Sequence, residues 1–388
     1  MIEESLRRAL RDQVELMPPG QDRAEEIIRR TRRTRRWRTT GTSLAAVLAF
    51  VMLISGVTFY QLMHSGGGYN SSVFEADPTA LPKPIVTASI DPHDVASLGL
   101  DLRIGDQLWT TDGRRLDLGG FGDVERAYRV PEGWLYGGAS GAYLQPVSGS
   151  PVQVAPEGSR WSVSEDGKRI AVVADGKLSI AGLSPTGAQV VGSVGVPADA
   201  APTALLGSRV LVAGGSDDSR GYGFVTVDGA QTAASPSWNR TVSGVFGTRS
   251  DAAVGLASAE GSDEVCLAAL RPDGVTVSVT TTELCGFEPP GEDITHTLSP
   301  DGGWLAEPAG DGLSLVSLDN ALVGSPTAKM CAASGVGRPT WIDTRTVVAP
   351  YDDGVVRCET NGGRKLLAVP VEAGSAWDLV PRLGSADG

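Results

Sequence analysis

Histidine, the side chain that most often carries acid–base chemistry, is scarce in this sequence. The three are His64, His93 and His296, and none stands in a motif for metal-dependent or serine-dependent hydrolysis. Polar and apolar residues alternate around His296, from Asp293 to Leu298. This alternation predicts an inner strand, and it favours a hydrogen-bonded structural histidine over a catalytic base or a metal ligand.

Paired acidic residues are the next candidates, because two neighbouring carboxyl groups can hydrolyse a glycoside. The pairs are Asp217-Asp218, Asp263-Glu264, Glu292-Asp293 and Asp352-Asp353. Each lies at or beside a predicted turn, where aspartate is favoured because its side chain accepts hydrogen bonds from nearby backbone amides. We therefore predict solvated turns, with no catalytic residue, no metal site and no cofactor.

Four cysteines complete the reactive residues, namely Cys266, Cys285, Cys331 and Cys358. They include no Cys-x-x-Cys pair and no neighbouring histidine, which disfavours a zinc site. In an exported segment, an even number of cysteines indicates disulfides. We expect the pairs Cys266–Cys285 and Cys331–Cys358, each within one predicted sheet unit, with four buried free thiols as the alternative.

Segment 41–63 is long, apolar and free of charged residues. About 20 apolar residues cross the hydrocarbon core of a bilayer as a helix. A run of arginines precedes this segment, and no lysine or arginine follows it before Lys83. Since positive residues stay in the cytoplasm, we predict a single-pass cell-membrane protein with segment 1–40 inside and everything after residue 63 outside. The membrane-flanking arginines are Arg29, Arg30, Arg32, Arg33, Arg35, Arg36 and Arg38.

A cleaved signal peptide is the alternative to this anchor. It is disfavoured because a polar segment of 40 residues precedes the apolar stretch and no Ala-x-Ala site follows it. Segment 64–90 contains glycine clusters and prolines, which predict a flexible linker.

The charge is divided unevenly along the chain. Segment 1–40 carries 11 arginines and 7 acidic residues, a net of +4, so the remainder carries −17 of the total of −13. A basic cytoplasmic segment favours anionic lipid of the inner leaflet, and an acidic ectodomain repels nucleic acid. Apolar residues at helical spacing in 1–40 predict a short amphipathic helix. We favour a lipid-associated anchor there over a docking helix for a cytoplasmic regulatory partner.

Segment 91–385 consists of short apolar runs separated by turn signals, without sustained helical periodicity. Asp-Gly recurs throughout it, most clearly at Asp175-Gly176 between two apolar runs, and this dipeptide is favoured in two-residue hairpin turns. Aligning the turns reveals a repeat. Its copies begin near Gly105, Glu132, Asp166, Gly207, Arg249, Asp301 and Asp343.

Seven all-β units of about 40 residues predict a seven-bladed β-propeller, with six or eight blades as alternatives. The two strong copies, at Ser164–Gly167 and Ser299–Gly302, resemble the repeat of TolB-like and WD-repeat-like propellers. The spacing between the first two copies, from residue 105 to 132, is shorter than that between the others, which indicates an incomplete first blade. We expect a strand at 377–380 to complete it and to close the ring.

Tryptophans such as Trp134 and Trp304 directly follow turns of the repeat. Their recurrence favours packing between blades over a carbohydrate-binding platform.

The layout of Arg-rich segment, single helix and exported domain is similar to that of actinobacterial membrane proteins, some of which accompany extracytoplasmic-function sigma factors. This resemblance implies a sensing role, with a protein or small ligand bound at the propeller face. We therefore expect a non-enzymatic binding module. The rival hypothesis is an exported hydrolase, which acidic residues converging with one histidine at the channel mouth would support. A purely architectural envelope protein is the third hypothesis.

Overall fold

A computed structural model gives the fold of one compact unit of the chain, Ser71–Gly388. The residues that it describes are 92–119, 124–215, 221–227, 236–259, 261, 264–287, 296–309, 312–325, 327–332, 337–351, 354–369 and 377–384. The predicted cytoplasmic segment, transmembrane helix and linker lie outside these ranges. Within them, neither helix has the length and hydropathy that a membrane crossing requires.

Seven antiparallel sheets make up the described structure, and each is one blade. Blade 1 contains β26 (Trp377–Val380), β1 (Asp101–Ile104), β2 (Gln107–Trp109) and β3 (Arg115–Asp117). Blade 2 contains β4 (Arg126–Val130), β5 (Gly133–Gly138), β6 (Gly141–Pro146) and β7 (Val152–Ala155). Blade 3 contains β8 (Arg160–Val163), β9 (Arg169–Ala174), β10 (Lys177–Ser184) and β11 (Gly187–Gly195).

The remaining blades follow in chain order. Blade 4 contains β12 (Ala201–Leu206), β13 (Arg209–Gly214) and β14 (Gly221–Thr226). Blade 5 contains β15 (Val242–Arg249), β16 (Ala252–Ser258), β17 (Val265–Asp273) and β18 (Thr276–Cys285). Blade 6 contains β19 (Trp304–Ala309), β20 (Gly312–Ser317) and β21 (Ala328–Ala332). Blade 7 contains β22 (Thr340–Trp341), β23 (Thr346–Tyr351), β24 (Gly354–Glu359) and β25 (Arg364–Ala368). The described ranges also contain two short helices, α1 (Pro92–Leu98) and α2 (Leu318–Ala321).

The ring closes as the sequence predicts. Strand β26, near the end of the chain, pairs antiparallel with β1 over its four residues, from Asp101 opposite Val380 to Ile104 opposite Trp377. Apolar residues of blade 7 pack against blade 1 in one cluster that includes Leu102. The seven-bladed prediction is therefore confirmed, and the first and last blades are neighbours.

The first blade explains the short step in the repeat. Five of the repeat turns join the first and second strands of a blade, and the turn at Asp301 joins the bridge residue Leu298 to β19, the first strand of blade 6. The turn at Gly105 instead joins β1 and β2, the second and third strands of blade 1. Because β26 supplies the first strand from the other end of the chain, blade 1 has no turn at the position that the other blades use. The prediction of an incomplete first blade, completed by a strand at 377–380, is therefore confirmed.

The turn chemistry is local and readable from the sequence. Asp175 and Gly176 both have positive φ, 51° and 69°, in a two-residue turn that pairs Ala174 with Lys177, as expected for Asp-Gly. In the turn after β8, the Ser164 hydroxyl accepts a hydrogen bond from the Arg169 amide, 3.0 Å away. Equivalent bonds form around Ser299. The Ser-x-Asp-Gly repeat is thus a structural turn.

One apolar cluster fills each of the seven seams between neighbouring blades. Buried tryptophans take part in them, for example Trp134 between blades 1 and 2 and Trp161 between blades 2 and 3. The prediction that tryptophans pack between blades is confirmed at these positions. Each seam lets two sheets bury the faces that neither could bury alone.

Both predicted disulfides are present, Cys266–Cys285 and Cys331–Cys358. The first joins opposite residues of β17 and β18, within one sheet as predicted. The second joins β21 of blade 6 to β24 of blade 7. The expectation that it would lie within one sheet unit was wrong, because the seam brings the faces of two sheets together.

Candidate functional site

Side chains of several blades meet at the ring axis. Tyr128 of β4 in blade 2 lies 5.0 Å from His296, between ring centroids, although His296 lies just before β19 of blade 6. We call the group formed by Tyr128, Glu165, His296, Trp341 and the tail Pro381–Gly384 the axial site.

The central contact of the axial site is between Glu165 and His296. His296 Nδ1 lies 3.1 Å from Glu165 Oε2, and their side chains are 5% and 27% exposed. Glu165 Oε1 also accepts a hydrogen bond of 3.3 Å from the Thr248 amide of β15. One carboxylate therefore connects blade 3 to blades 5 and 6 across the axis.

Two backbone features permit this contact. A Cβ atom on Gly247 would lie 2.5 Å from Glu165 Oε1, so glycine leaves the carboxylate its space. His296 has a φ of 63°, a conformation that is uncommon for residues other than glycine but better tolerated by histidine than by branched side chains. It lies in a turn just before the bridge between Leu298 and Leu305.

The tail Pro381–Gly384 continues beyond the closing strand β26 and crosses to blades 2 and 3. The Arg129 amide donates to the Pro381 carbonyl, and the Leu383 amide donates to the Arg129 carbonyl, both at 2.8 Å. The Gly384 amide donates to the Glu165 carbonyl, also at 2.8 Å. Leu383 is buried in the cluster between blades 2 and 3, so the tail is fixed by backbone hydrogen bonds and one apolar side chain.

A cavity of about 20 Å³ remains between the tail, Glu165, His296 and Trp341. This volume has room for about one water molecule. An imidazole beside a carboxylate can hold or move a proton of such a water. The neighbouring Trp341 indole donates to the Thr297 carbonyl at 2.9 Å, which fixes the wall of the cavity.

A second polar group lies at the seam between blades 1 and 2. Asp101, 5% exposed, accepts a hydrogen bond of 2.7 Å from the buried Trp134 indole. The guanidinium groups of Arg114 and Arg129 lie 4.7 and 3.9 Å from the Trp134 ring centroid, within the range of a cation–π interaction. Hydrogen bonding from Arg114 lowers the pKa of Asp112 to about 2.

The structure corrects one detail of the sequence prediction for His296. It leaves the predictions for residues outside the described ranges untested. His296 is hydrogen-bonded as predicted, but it lies in a turn and not in a strand. His93 belongs to α1, and His64 lies outside the described residues. Of the paired acidic residues, only Glu264 is described, at an exposed position. Within the described ranges, no group of three or more His, Cys, Asp or Glu side chains is placed to hold a metal ion.

Sequence reasoning missed Glu165, Arg129 and Arg382. Glu165 stands inside the Ser-Glu-Asp-Gly turn, and only its position on an axial turn, opposite a histidine, distinguishes it from other turn residues.

No family model matches the sequence, and none of the curated proteins is similar to it. Solved structures with a similar fold include AztD from Citrobacter koseri, with 12% identity over 71% of this chain and 83% of that chain and a TM-score of 0.45. TolB from Acinetobacter baumannii has 14% identity over 77% of this chain and 88% of that chain, with a TM-score of 0.35. A protein from Lactobacillus plantarum has 15% identity over 72% and 99%, with a TM-score of 0.43.

Proposed function

We propose that this chain is a single-pass membrane protein that presents a non-enzymatic β-propeller outside the cell, where it binds a protein or a small ligand. The apolar segment 41–63, with its arginines on one flank, supports the membrane anchor. The two disulfides support an oxidising, extracytoplasmic location for the propeller. The resemblance in layout to sigma-factor-associated membrane proteins supports a sensing role.

The observation that carries the binding role is the occupied axis. Glu165 and Tyr128 both contact His296 there, and Leu383 anchors the neighbouring tail in the cluster between blades 2 and 3. The protein's own groups take the place that a substrate would need at this end of the axis. Recognition then falls to the rim of the ring, where loops can vary on a rigid scaffold.

One observation favours a second candidate, an exported hydrolase. Glu165 and His296 form a carboxylate–imidazole pair beside a cavity with room for one water, and such a pair can activate water as a general base. Against this role, His296 is almost fully buried and packs edge-on against Tyr128. A hydrolase would require the tail to move before a substrate could reach the imidazole.

Proteolysis of intact cells tests the proposed location. The full chain carries one epitope before residue 40 and another after residue 384, and protease is added outside. We expect loss of the second epitope and protection of the first. Protection of both epitopes in intact cells, with cleavage only after lysis, would overturn the proposed topology.

Cross-linking in the same cells tests the regulatory role. Recovery of a sigma factor through segment 1–40 would support sensing, and recovery of envelope components only would remove it. His296→Asn separates binding from hydrolysis, since asparagine tolerates a positive φ but is not a base. A binding module keeps its cross-linked partners in this variant, whereas a hydrolase loses turnover.

A further inference from the structure

Two arginines lie side by side where the tail meets blade 2. Arg129 and Arg382 are directly opposite each other in a parallel bridge, held by hydrogen bonds from and to the Arg129 backbone at 2.8 Å. Paired residues of neighbouring strands project their side chains on the same side. The backbone therefore places the Arg129 and Arg382 side chains on the same side of the paired segments, although the chain beyond residue 40 carries a net charge of −17.

The N–H groups of both guanidinium groups have no protein acceptor among the described residues, either in a hydrogen bond or in an ion pair. Arg129 is partly buried, with its face on the Trp134 ring 3.9 Å from the centroid, which leaves the N–H groups at its edge. Burial and the positive charges of Arg114 and Arg382 lower the pKa of Arg129, while Asp101 and Asp112 act against this.

The nearby carboxylates are engaged by other donors. Asp101 accepts from the Trp134 indole at 2.7 Å and from the Thr111 amide at 2.7 Å. Asp112 pairs with Arg114, and Glu165, which shares the axial cavity with Arg382, accepts from His296 and Thr248. Arg382 is exposed and Arg129 is partly buried, so both positive charges are accessible to an anion from solution.

We propose that Arg129 and Arg382 form a binding site for a phosphate group at the edge of the axial site. A guanidinium presents a planar fork of donors that matches oxygen anions, often with two hydrogen bonds. Two adjacent guanidinium groups suit a dianion, which favours phosphate over a single carboxylate. Because the tail supplies Arg382, the site exists only while the tail is seated on blade 2.

This site adds a ligand class to the proposed binding role. It rests on that proposal in one respect, namely that the propeller is a recognition module. The phosphate group has two sources, soluble phosphate compounds and phospholipid headgroups. Phosphate binding is measured on the isolated chain, whereas the location is tested in intact cells. A failure to bind phosphate would therefore leave the proposed location standing, and the reverse also holds.

Equilibrium dialysis of the full chain against radiolabelled inorganic phosphate tests the site directly. The chain is kept in a maltoside detergent at constant ionic strength, because screening alters surface electrostatics. We expect saturable binding that Arg382→Gln weakens about tenfold or more and that Arg382→Lys weakens about threefold, since lysine keeps the charge but loses the fork. Acetate at equal concentration should compete at least about tenfold less well than phosphate.

Arg209→Gln is the matched control, because Arg209 is an exposed arginine at the start of β13 in blade 4, to which the described tail residues make no backbone hydrogen bond. Phosphate binding should be unchanged in this variant. Competition by phosphatidylglycerol vesicles that disappears in Arg382→Gln would assign the phosphate to a headgroup, and lack of competition would assign it to a soluble compound. Absence of saturable binding, equal binding by Arg382→Gln, or equal competition by acetate would overturn the proposal.

Discussion

Two seams of the ring, between blades 1 and 2 and between blades 6 and 7, are stabilised by different interactions. At each, a buried indole N–H reaches across to the neighbouring blade, from Trp134 to the Asp101 carboxylate at 2.7 Å and from Trp341 to the Thr297 carbonyl at 2.9 Å. The seam between blades 1 and 2 adds charge, with arginines stacked on the indole. The seam between blades 6 and 7 adds a covalent bond, Cys331–Cys358.

The comparison shows what each seam depends on. A buried carboxylate is stable only while its hydrogen-bond donors remain in place, so the polar seam is sensitive to the loss of any one partner. A disulfide acts mainly by restricting the unfolded chain, so the covalent seam is sensitive to reduction. Each of the other five seams buries an apolar cluster, and some add polar contacts, such as the ion pair of Arg249 with Asp319 between blades 5 and 6.

The largest predicted effect is loss of the disulfide between blades 6 and 7. Replacing both Cys331 and Cys358 by serine should lower the free energy of unfolding by about 3–4 kcal/mol, given loop-closure entropy and a sequence separation of 27 residues. Chemical denaturation measures this loss. Hydrogen exchange should accelerate in β21 and β24, because these two strands lose their covalent connection.

The double variant Cys266→Ser and Cys285→Ser is the matched control. Its loop of 19 residues predicts a similar loss of stability, about 3 kcal/mol, but the bond lies within one sheet. Faster exchange at the seam between blades 6 and 7 in this control as well would show that the seam does not depend on its own disulfide.

The polar seam should be nearly as sensitive. Asp101→Ala leaves the buried Trp134 indole and the Thr111 amide without their acceptor, and we expect a loss of about 3 kcal/mol. Asp101→Asn keeps an acceptor and should lose less. Thermal and chemical denaturation measure both variants.

Asp106→Ala provides the control for the polar seam, because Asp106 is exposed in the next turn. Its effect should stay within about 0.5 kcal/mol. If Asp101→Ala were equally mild, the seam would be held by apolar packing alone, and the contrast with the covalent seam would disappear.

The same contrast explains how much the sequence reveals. Asp175-Gly176 predicts its own hairpin, because the requirement for positive φ is confined to two residues. The blade count follows from repeated turns of this kind. The closing strand at 377–380 was predictable because an incomplete first blade requires a partner.

Contacts between blades were less predictable, since they depend on the closed ring. Glu165 and His296 are separated by 131 positions, and their meeting depends on the geometry of all the blades between them. The sequence predicted that Cys331 pairs with Cys358, but it did not predict that this disulfide crosses the seam between two blades. No local pattern marks a turn residue as axial, so the axial site was missing from the sequence-based expectations apart from His296.

A third seam contains Glu307, a partly buried carboxyl group without the hydrogen-bond donors that Asp101 has. Strand alternation places Glu307 on the face of β19 that Leu305 shares, toward blade 5. Burial raises the pKa of Glu307 to about 8. The folded state therefore holds a proton that the unfolded state has released above about pH 4.5, and stability falls as pH rises from about 5 to 8.

Glu307→Gln should remove this decline, because glutamine stays neutral throughout the range. We expect the variant to gain about 2 kcal/mol relative to the wild type between pH 5 and pH 8, a value reduced for the partial exposure of the group. Chemical denaturation at several pH values measures the slope. The exposed Glu157→Gln should leave the slope unchanged, and an unchanged slope in Glu307→Gln would show that Glu307 is ionised in the fold.

The smallest predicted effect concerns the axis, whose contacts join blades without sealing a seam. In Gly247→Ala the new methyl group would meet Glu165 Oε1 at 2.5 Å and Leu298 at 3.2 Å, so the carboxylate must move away from His296. Because a carboxylate end can shift at little cost, we expect a loss of about 1 kcal/mol. Gly182→Ala, with no atom within 4 Å of the new Cβ, should be neutral or slightly stabilising. A loss in Gly247→Ala as large as that in Asp101→Ala would mean that the axial pair supports the ring as strongly as a seam does.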